Sequence, residues 1–150
     1  MHRRFLVALG VSMVAACTST EAPVDPNAAM LVSIAARGAI WQKGDVCVRM
    51  IDQKPAVSFG LCRQGPIALS PGPHVVEALY EFAGKRATLS LSADFRQGGR
   101  YALRADTQGP CAALLWLEDQ ATGELVTEKN VVPFRPAMNI DRVVFALTCG

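Results

Sequence analysis

His74-Val75-Val76-Glu77-Ala78-Leu79-Tyr80-Glu81-Phe82, followed across Ala83-Gly84-Lys85 by Arg86–Phe95, decides the fold class of this 150-residue chain. In the first run Val76, Ala78, Tyr80 and Phe82 alternate with positions that include Glu77 and Glu81. In the second, Leu89, Leu91, Ala93 and Phe95 alternate with Thr88, Ser90, Ser92 and Asp94. A period of two is that of a strand with one dry and one wet face, and successive side chains of a helix would not separate this way. A glycine between the runs can take the positive φ of a tight turn, so the two make a hairpin.

The same texture extends in both directions. Short apolar or alternating stretches at Met30–Ala36, Asp45–Ile51, Ala56–Leu61, Arg100–Ala105, Cys111–Glu118, Leu125–Glu128 and Ile140–Cys149 read as further strands. Gln42-Lys43-Gly44-Asp45, Gln97-Gly98-Gly99 and Ala121-Thr122-Gly123-Glu124 supply turns between them. Ala112-Ala113-Leu114-Leu115-Trp116-Leu117 is apolar on both faces and reads as a central strand, with Trp116 in the core. The expectation is an all-β domain over residues 29–150, a single two-sheet β-sandwich, with a small closed barrel as the alternative.

The amino terminus differs in kind. Met1-His2-Arg3-Arg4 is basic, and Phe5 to Val14 is an uncharged apolar run. That layout is a secretory signal, and the run is well short of the roughly 20 residues that span a bilayer. Val14-Ala15-Ala16-Cys17 resembles the lipobox of bacterial lipoproteins. The resemblance implies cleavage after residue 16 and acyl chains on the Cys17 thiol, holding the chain to a lipid bilayer. Thr18 to Asn27, with Pro23 and Pro26 and no apolar period, reads as a tether, so residues 17–28 are the lipidated cysteine and its linker. Thr18 and Ser19 in place of an aspartate imply, by the lipoprotein sorting pattern, the outer membrane facing the periplasm.

Charge and cysteines narrow the function classes. Arg3 and Arg4 account for the net charge of +2, and from Cys17 onward 13 basic side chains face 13 acidic ones. No run of like charge is present, so nucleic acid is not the expected partner. Beyond Cys17 there remain Cys47, Cys62, Cys111 and Cys149. An even count in an exported domain reads as two disulfides, and of the three pairings Cys47–Cys62 with Cys111–Cys149 is favoured because it joins neighbouring strands. Free thiols or a metal or redox site are the alternatives, although no two cysteines form a C-x-x-C.

Catalytic equipment is sparse. His74 is the single histidine after residue 16, at a strand start behind Pro71-Gly72-Pro73, and any Ser-His-Asp relay must use it. Without a nucleophile elbow it reads as a turn cap. Glu77 and Glu81 are about 13 Å apart along a strand, wider than a glycosidase pair. Asp119 and Glu124 flank a hairpin loop but lack a calcium-binding array. No metal site, no cofactor and no enzyme activity are expected. Trp41, beside a turn, is the candidate binding residue, by stacking on a sugar or a partner.

Leu69-Ser70-Pro71-Gly72-Pro73-His74-Val75-Val76-Glu77-Ala78-Leu79-Tyr80, with the strand opening Gly99-Arg100-Tyr101-Ala102-Leu103, resembles a pattern of small bacterial lipoproteins and PEGA-like envelope modules. The likeness covers residues 69–105 and implies a transthyretin-like or immunoglobulin-like sandwich. The function expected is that of a non-enzymatic, membrane-tethered envelope lipoprotein that binds or supports another envelope protein or component. The alternative is an inhibitor or a lipoprotein binding a small ligand, sugar or lipid, through Trp41 or the Gln64-Gly65-Pro66 region.

Overall fold

The computed structural model describes residues 25–34, 44–57, 62–137, 145–146 and 149. Ten strands follow in chain order: β1 (Ala29–Ile34), β2 (Asp45–Ile51), β3 (Lys54–Pro55), β4 (Ile67–Leu69), β5 (Gly72–Phe82), β6 (Lys85–Phe95), β7 (Arg100–Gln108), β8 (Ala112–Asp119), β9 (Asn130–Pro133) and β10 (Arg135–Pro136). They form two five-stranded sheets, ordered β4-β1-β7-β8-β9 and β10-β6-β5-β2-β3. The domain is therefore all-β and a two-sheet sandwich; among the described residues the sheets do not close into the barrel held as the alternative.

The β5–β6 hairpin pairs without interruption from Phe82↔Lys85 to Gly72↔Phe95. Ala83 and Gly84 both take positive φ, 49° and 73°, the two-residue turn whose twist matches that of the strands it joins. Val76, Ala78, Tyr80, Ala87, Leu91 and Phe95 face inward and are buried. The opposite sheet supplies Leu31, Tyr101, Leu103, Ala105, Ala113, Leu115 and Leu117. No buried residue of the described set is polar or charged. Burying each of the valine, leucine and phenylalanine side chains contributes about 1.5–3 kcal/mol.

Tyr101 seats the sandwich edge. Its ring meets Phe95 edge-on at 4.7 Å, and its hydroxyl accepts a hydrogen bond from the Arg96 N–H at 2.7 Å. The ring lies so close to Gly99 that a Cβ there would fall 2.6 Å from it. Gly99→Ala is accordingly expected to destabilise the fold by about 1–3 kcal/mol, the usual cost of overpacking. A urea melt checks this; an unchanged midpoint would mean that the Tyr101 ring moves aside freely.

The cysteines pair as Cys47–Cys62 and Cys111–Cys149, with Cα separations of 5.6 and 5.3 Å. Cys47 sits on the outer face of β2 opposite Leu79, and that side of the sheet buries both residues. The second disulfide ties the turn before β8 to residue 149.

Several expectations need correction. Within Ala56–Leu61, Ala56 and Val57 form a bend, and the strand is Lys54–Pro55, paired with the end of β2 through the tight turn at Asp52-Gln53. Residues 58–61 lie outside the described set. Leu125–Glu128 is not a strand: Leu125 makes one isolated bridge to Glu118, and pairing with β8 resumes at Asn130. The reason is that Thr127 Oγ1 accepts the Leu117 N–H at 2.9 Å, so a side chain replaces the ladder bond there. In Ile140–Cys149 the described residues Phe145, Ala146 and Cys149 are helical. A short apolar run does not by itself discriminate helix from strand. β8 is an interior strand, but β7 holds the centre of its sheet. Trp116 points to the outer face, not the core. Residues 25–28, within the stretch expected to be a tether, make a turn closed by the Ala28 N–H on the Asp25 carbonyl at 2.9 Å.

Candidate functional site

Asp52, Ser70 and His74 meet at one end of the sandwich. Asp52 and Gln53 form the turn from β2 to β3 with φ of 50° and 65°. Aspartate is among the few residues that accept this conformation cheaply. The turn is pinned to β5 from both sides: the Asp52 N–H donates to the Val75 carbonyl, and Asp52 Oδ1 accepts from the Val75 N–H, each at 2.9 Å. Its second carboxylate oxygen lies 2.6 Å from His74 Nδ1. His74 Nε2 lies 2.9 Å from the Ser70 carbonyl and 3.2 Å from Ser70 Oγ. Beneath, the imidazole meets the Phe95 ring edge-on at 5.8 Å, and only 13% of the His74 side chain is exposed.

Ser70, His74 and Asp52 thus stand in the order of a hydrolytic relay. The hydrogen bonds point elsewhere. A base must present an Nε2 lone pair to the serine O–H, whereas here Nε2 faces a carbonyl oxygen that can only accept. Both ring nitrogens face acceptors, the arrangement that satisfies the doubly protonated imidazolium. Burial disfavours charge on His74, but hydrogen bonds to Asp52 and to the Ser70 carbonyl outweigh it, and its pKa rises above the ordinary 6.5. The Val75 N–H and then His74 hold the Asp52 carboxyl below the ordinary 3.8. The cluster is a hydrogen-bonded clamp between the β2–β3 turn and the Ser70–His74 turn.

The pH dependence follows from these directions. A raised histidine pKa stabilises the fold fully below the unfolded value and ceases to do so as pH climbs through the folded one. A depressed aspartate pKa stabilises above the unfolded value and is lost as pH falls through the folded one. The clamp is complete between the two ordinary values, 3.8 and 6.5. His74→Gln is expected to cost about 1 kcal/mol at about pH 5.5, with the difference shrinking toward about pH 9. Thermal melts of both chains across that range test it, and a difference independent of pH would show that His74 acts by packing alone.

No family model, no curated protein and no solved structure gives a significant match to the chain.

The other described residues singled out by sequence do not join this cluster. Cys17 and Trp41 are outside the described residues. Glu77 pairs with Arg49 at 3.1 Å, and Glu81 sits opposite Asp45 and Arg86. Asp119 spends Oδ1 on the N–H groups of Ala121 and Thr122, as a turn cap. Among the described residues no group of three or more His, Cys, Asp or Glu is placed to hold a metal ion. Gln64, Gly65 and Pro66 are exposed, directly after the Cys62 disulfide.

The outer face of β8 carries a group that apolar patterning conceals. Trp116 holds the Lys129 ammonium 4.8 Å over its ring, and Glu118 beside it binds Arg104 at 3.0 Å. Val131 next to this group is 58% exposed. The alternation of β8 puts Trp116 on the same side as Leu114 and Glu118, and that glutamate is the signal that this face meets water.

Proposed function

We propose that the chain is a non-enzymatic envelope lipoprotein: acyl chains on Cys17 hold it to a bilayer, and the sandwich binds or supports another envelope protein or component. The observation that carries this is the amino-terminal order of basic segment, apolar run and Ala15-Ala16-Cys17. Two disulfides in the domain support export to an oxidising compartment. The hydrogen bonds of His74, with both ring nitrogens facing acceptors, support a structural role for the Asp52–Ser70–His74 cluster. By the sorting pattern the membrane is the outer one, with the domain in the periplasm.

Within the sandwich class, we read the fold as transthyretin-like. In an immunoglobulin constant domain the first strand pairs with the second, and the fourth and fifth complete that sheet. Here β1 pairs with β4 and runs parallel to β7, while β2 belongs to the other sheet.

A second reading has one observation in its favour. The exposed Gln64-Gly65-Pro66 segment is anchored at Cys62 by a disulfide, as a rigid inhibitory or ligand-binding loop would be. Cross-linking of the native protein in living cells, read by mass spectrometry, separates the two. Capture of one envelope protein supports the leading reading. Capture of a hydrolase through residues 64–66 supports the second, and capture of abundant neighbours alone would sink both.

A further inference from the structure

We infer that the corner where the chain passes from one sheet to the other binds a small organic anion, an oxyanion group on a short apolar body. Residues 130–136 make this corner. β9 (Asn130–Pro133) lies at the end of one sheet, Phe134 turns into the core at 3% exposure, and β10 (Arg135–Pro136) joins β6 in the other. The Phe134 N–H donates to the Cys111 carbonyl at 2.9 Å, and its ring packs with those of Tyr80 and Phe82. With Phe134 held, Arg135 stands directly opposite Arg86 across the antiparallel β10–β6 pair. Residues paired this way share a face with Cβ atoms about 4.5–5.5 Å apart, and like charges so placed repel.

Among the described residues no carboxylate relieves the pair. The arginine–carboxylate ion pairs there are Arg49–Glu77 and Arg104–Glu118, and neither Arg86 nor Arg135 makes one. Glu81 is the cross-strand neighbour of Arg86 on β5 and forms no ion pair with it. Arg86 donates from Nη2 to the Ala137 carbonyl, while its buried Nε has no acceptor among the described residues. Lys85, beside them, is spent on the Pro110 carbonyl at 2.6 Å, with its ammonium 5.9 Å from the centre of the Phe134 ring. A guanidinium drawn partly out of water without an anion costs free energy. A carboxylate or phosphate held by two of them offsets that cost through paired, charge-assisted hydrogen bonds.

The space for the anion is present. A 420 Å³ cleft at the corner is lined by Arg86, Thr88, Val132, Pro133 and Arg135, a volume within the range of small-molecule sites. The β6 and β10 side contributes the two guanidinium groups and Thr88, and the β9 side contributes Val132 and Pro133. A ligand charged at one end and carbon at the other matches that division. No acidic residue stands in the described lining, so the corner does not suit a cation.

The site rests on β6, β9 and β10, so it stands or falls independently of the acyl anchor and of the Gln64-Gly65-Pro66 segment. Nuclear magnetic resonance titration of the full chain in detergent tests it, with hexanoate, hexyl phosphate, hexanol and inorganic phosphate as probes. At least one hexyl anion is expected to shift the amide signals of Thr88, Val132 and Arg135 saturably, and the tighter of the two tells a carboxylate ligand from a phosphate. Hexanol, which also enters the micelle, is expected to leave those signals in place. Inorganic phosphate, lacking the apolar body, is expected to bind at least about tenfold more weakly than the better hexyl anion. Arg135→Gln is expected to weaken binding at least about tenfold, and Arg135→Lys, which keeps the charge but loses the fork, by less. Arg135 is exposed, so neither variant disturbs the core. Signals unmoved by both hexyl anions up to about 10 mM, equal shifts with hexanol, equal affinity for inorganic phosphate, or binding unchanged in Arg135→Gln would each overturn the proposal.

Discussion

A chain with Cys111→Ser and Cys149→Ser is expected to unfold with about 4 kcal/mol less free energy than the native protein. The bond closes a segment with a sequence separation of 38. Cross-linking removes conformations from the unfolded ensemble, and the benefit grows with the logarithm of loop length. The Cys47–Cys62 bond, with a separation of 15, should contribute less, about 3 kcal/mol. Against a total stability on the order of 5–15 kcal/mol, either loss is large. For a domain of this size a loss of about 4 kcal/mol lowers the melting temperature by roughly 15 °C. Calorimetry of both double variants checks the magnitude and the order. An equal effect from the two bonds would show that unfolded-chain entropy is not what they act on.

Phe95→Ala is expected to cost about 3–5 kcal/mol, the range for emptying a buried aromatic site. Phe95 is 1% exposed and touches two other rings, Tyr101 at 4.7 Å and His74 at 5.8 Å. Neither neighbour can fill the space: the Tyr101 hydroxyl is held by the Arg96 N–H, and His74 by Asp52 and Ser70. The variant should also weaken the pH dependence of the melt, since the imidazole loses its floor and gains water. Urea unfolding at about pH 5.5 and about pH 8.5, on either side of the ordinary histidine value, reads both effects. A cost below about 1 kcal/mol would mean that the two sheets collapse onto the gap.

The fold is legible in the sequence where one face of a strand is dry and the other wet. The pattern marks β2 (Asp45–Ile51) with its observed bounds, and β5, β6 and β7 to within a few residues at their ends. In these strands burial itself writes the alternation. Elements too short to show a period stay hidden. β4 is three residues between Pro66 and Ser70, and β10 is two. Trp116 reads as core because an apolar run conceals which of its two faces is wetter; the deciding residues, Glu118 and Lys129, lie outside that run. The disulfide pairing is recoverable because bonded cysteines lie on neighbouring segments of the fold. The clamp is half visible: His74 stands out as a turn cap, and Ser70 lies four residues away on the same turn. Asp52 is 22 residues distant and arrives through a hairpin turn, a placement set by sheet register and not by local spacing.

The described part of the sandwich presents a fixed surface. Its edges are mostly short, its turns are pinned by side chains, and its two covalent ties hold the shape that a partner would meet. The proposed anchor on Cys17 would add concentration at a surface, which multiplies weak contacts into useful ones.

Intact mass of the protein purified from the envelope of cells that make it, with sequencing of its amino-terminal peptide, tests the lipoprotein proposal most directly. The expected result is loss of residues 1–16 and an acylated Cys17, with no acyl group on the amino-terminal peptide of Cys17→Ser. A chain that retains Met1, or begins elsewhere with Cys17 unmodified, would contradict it.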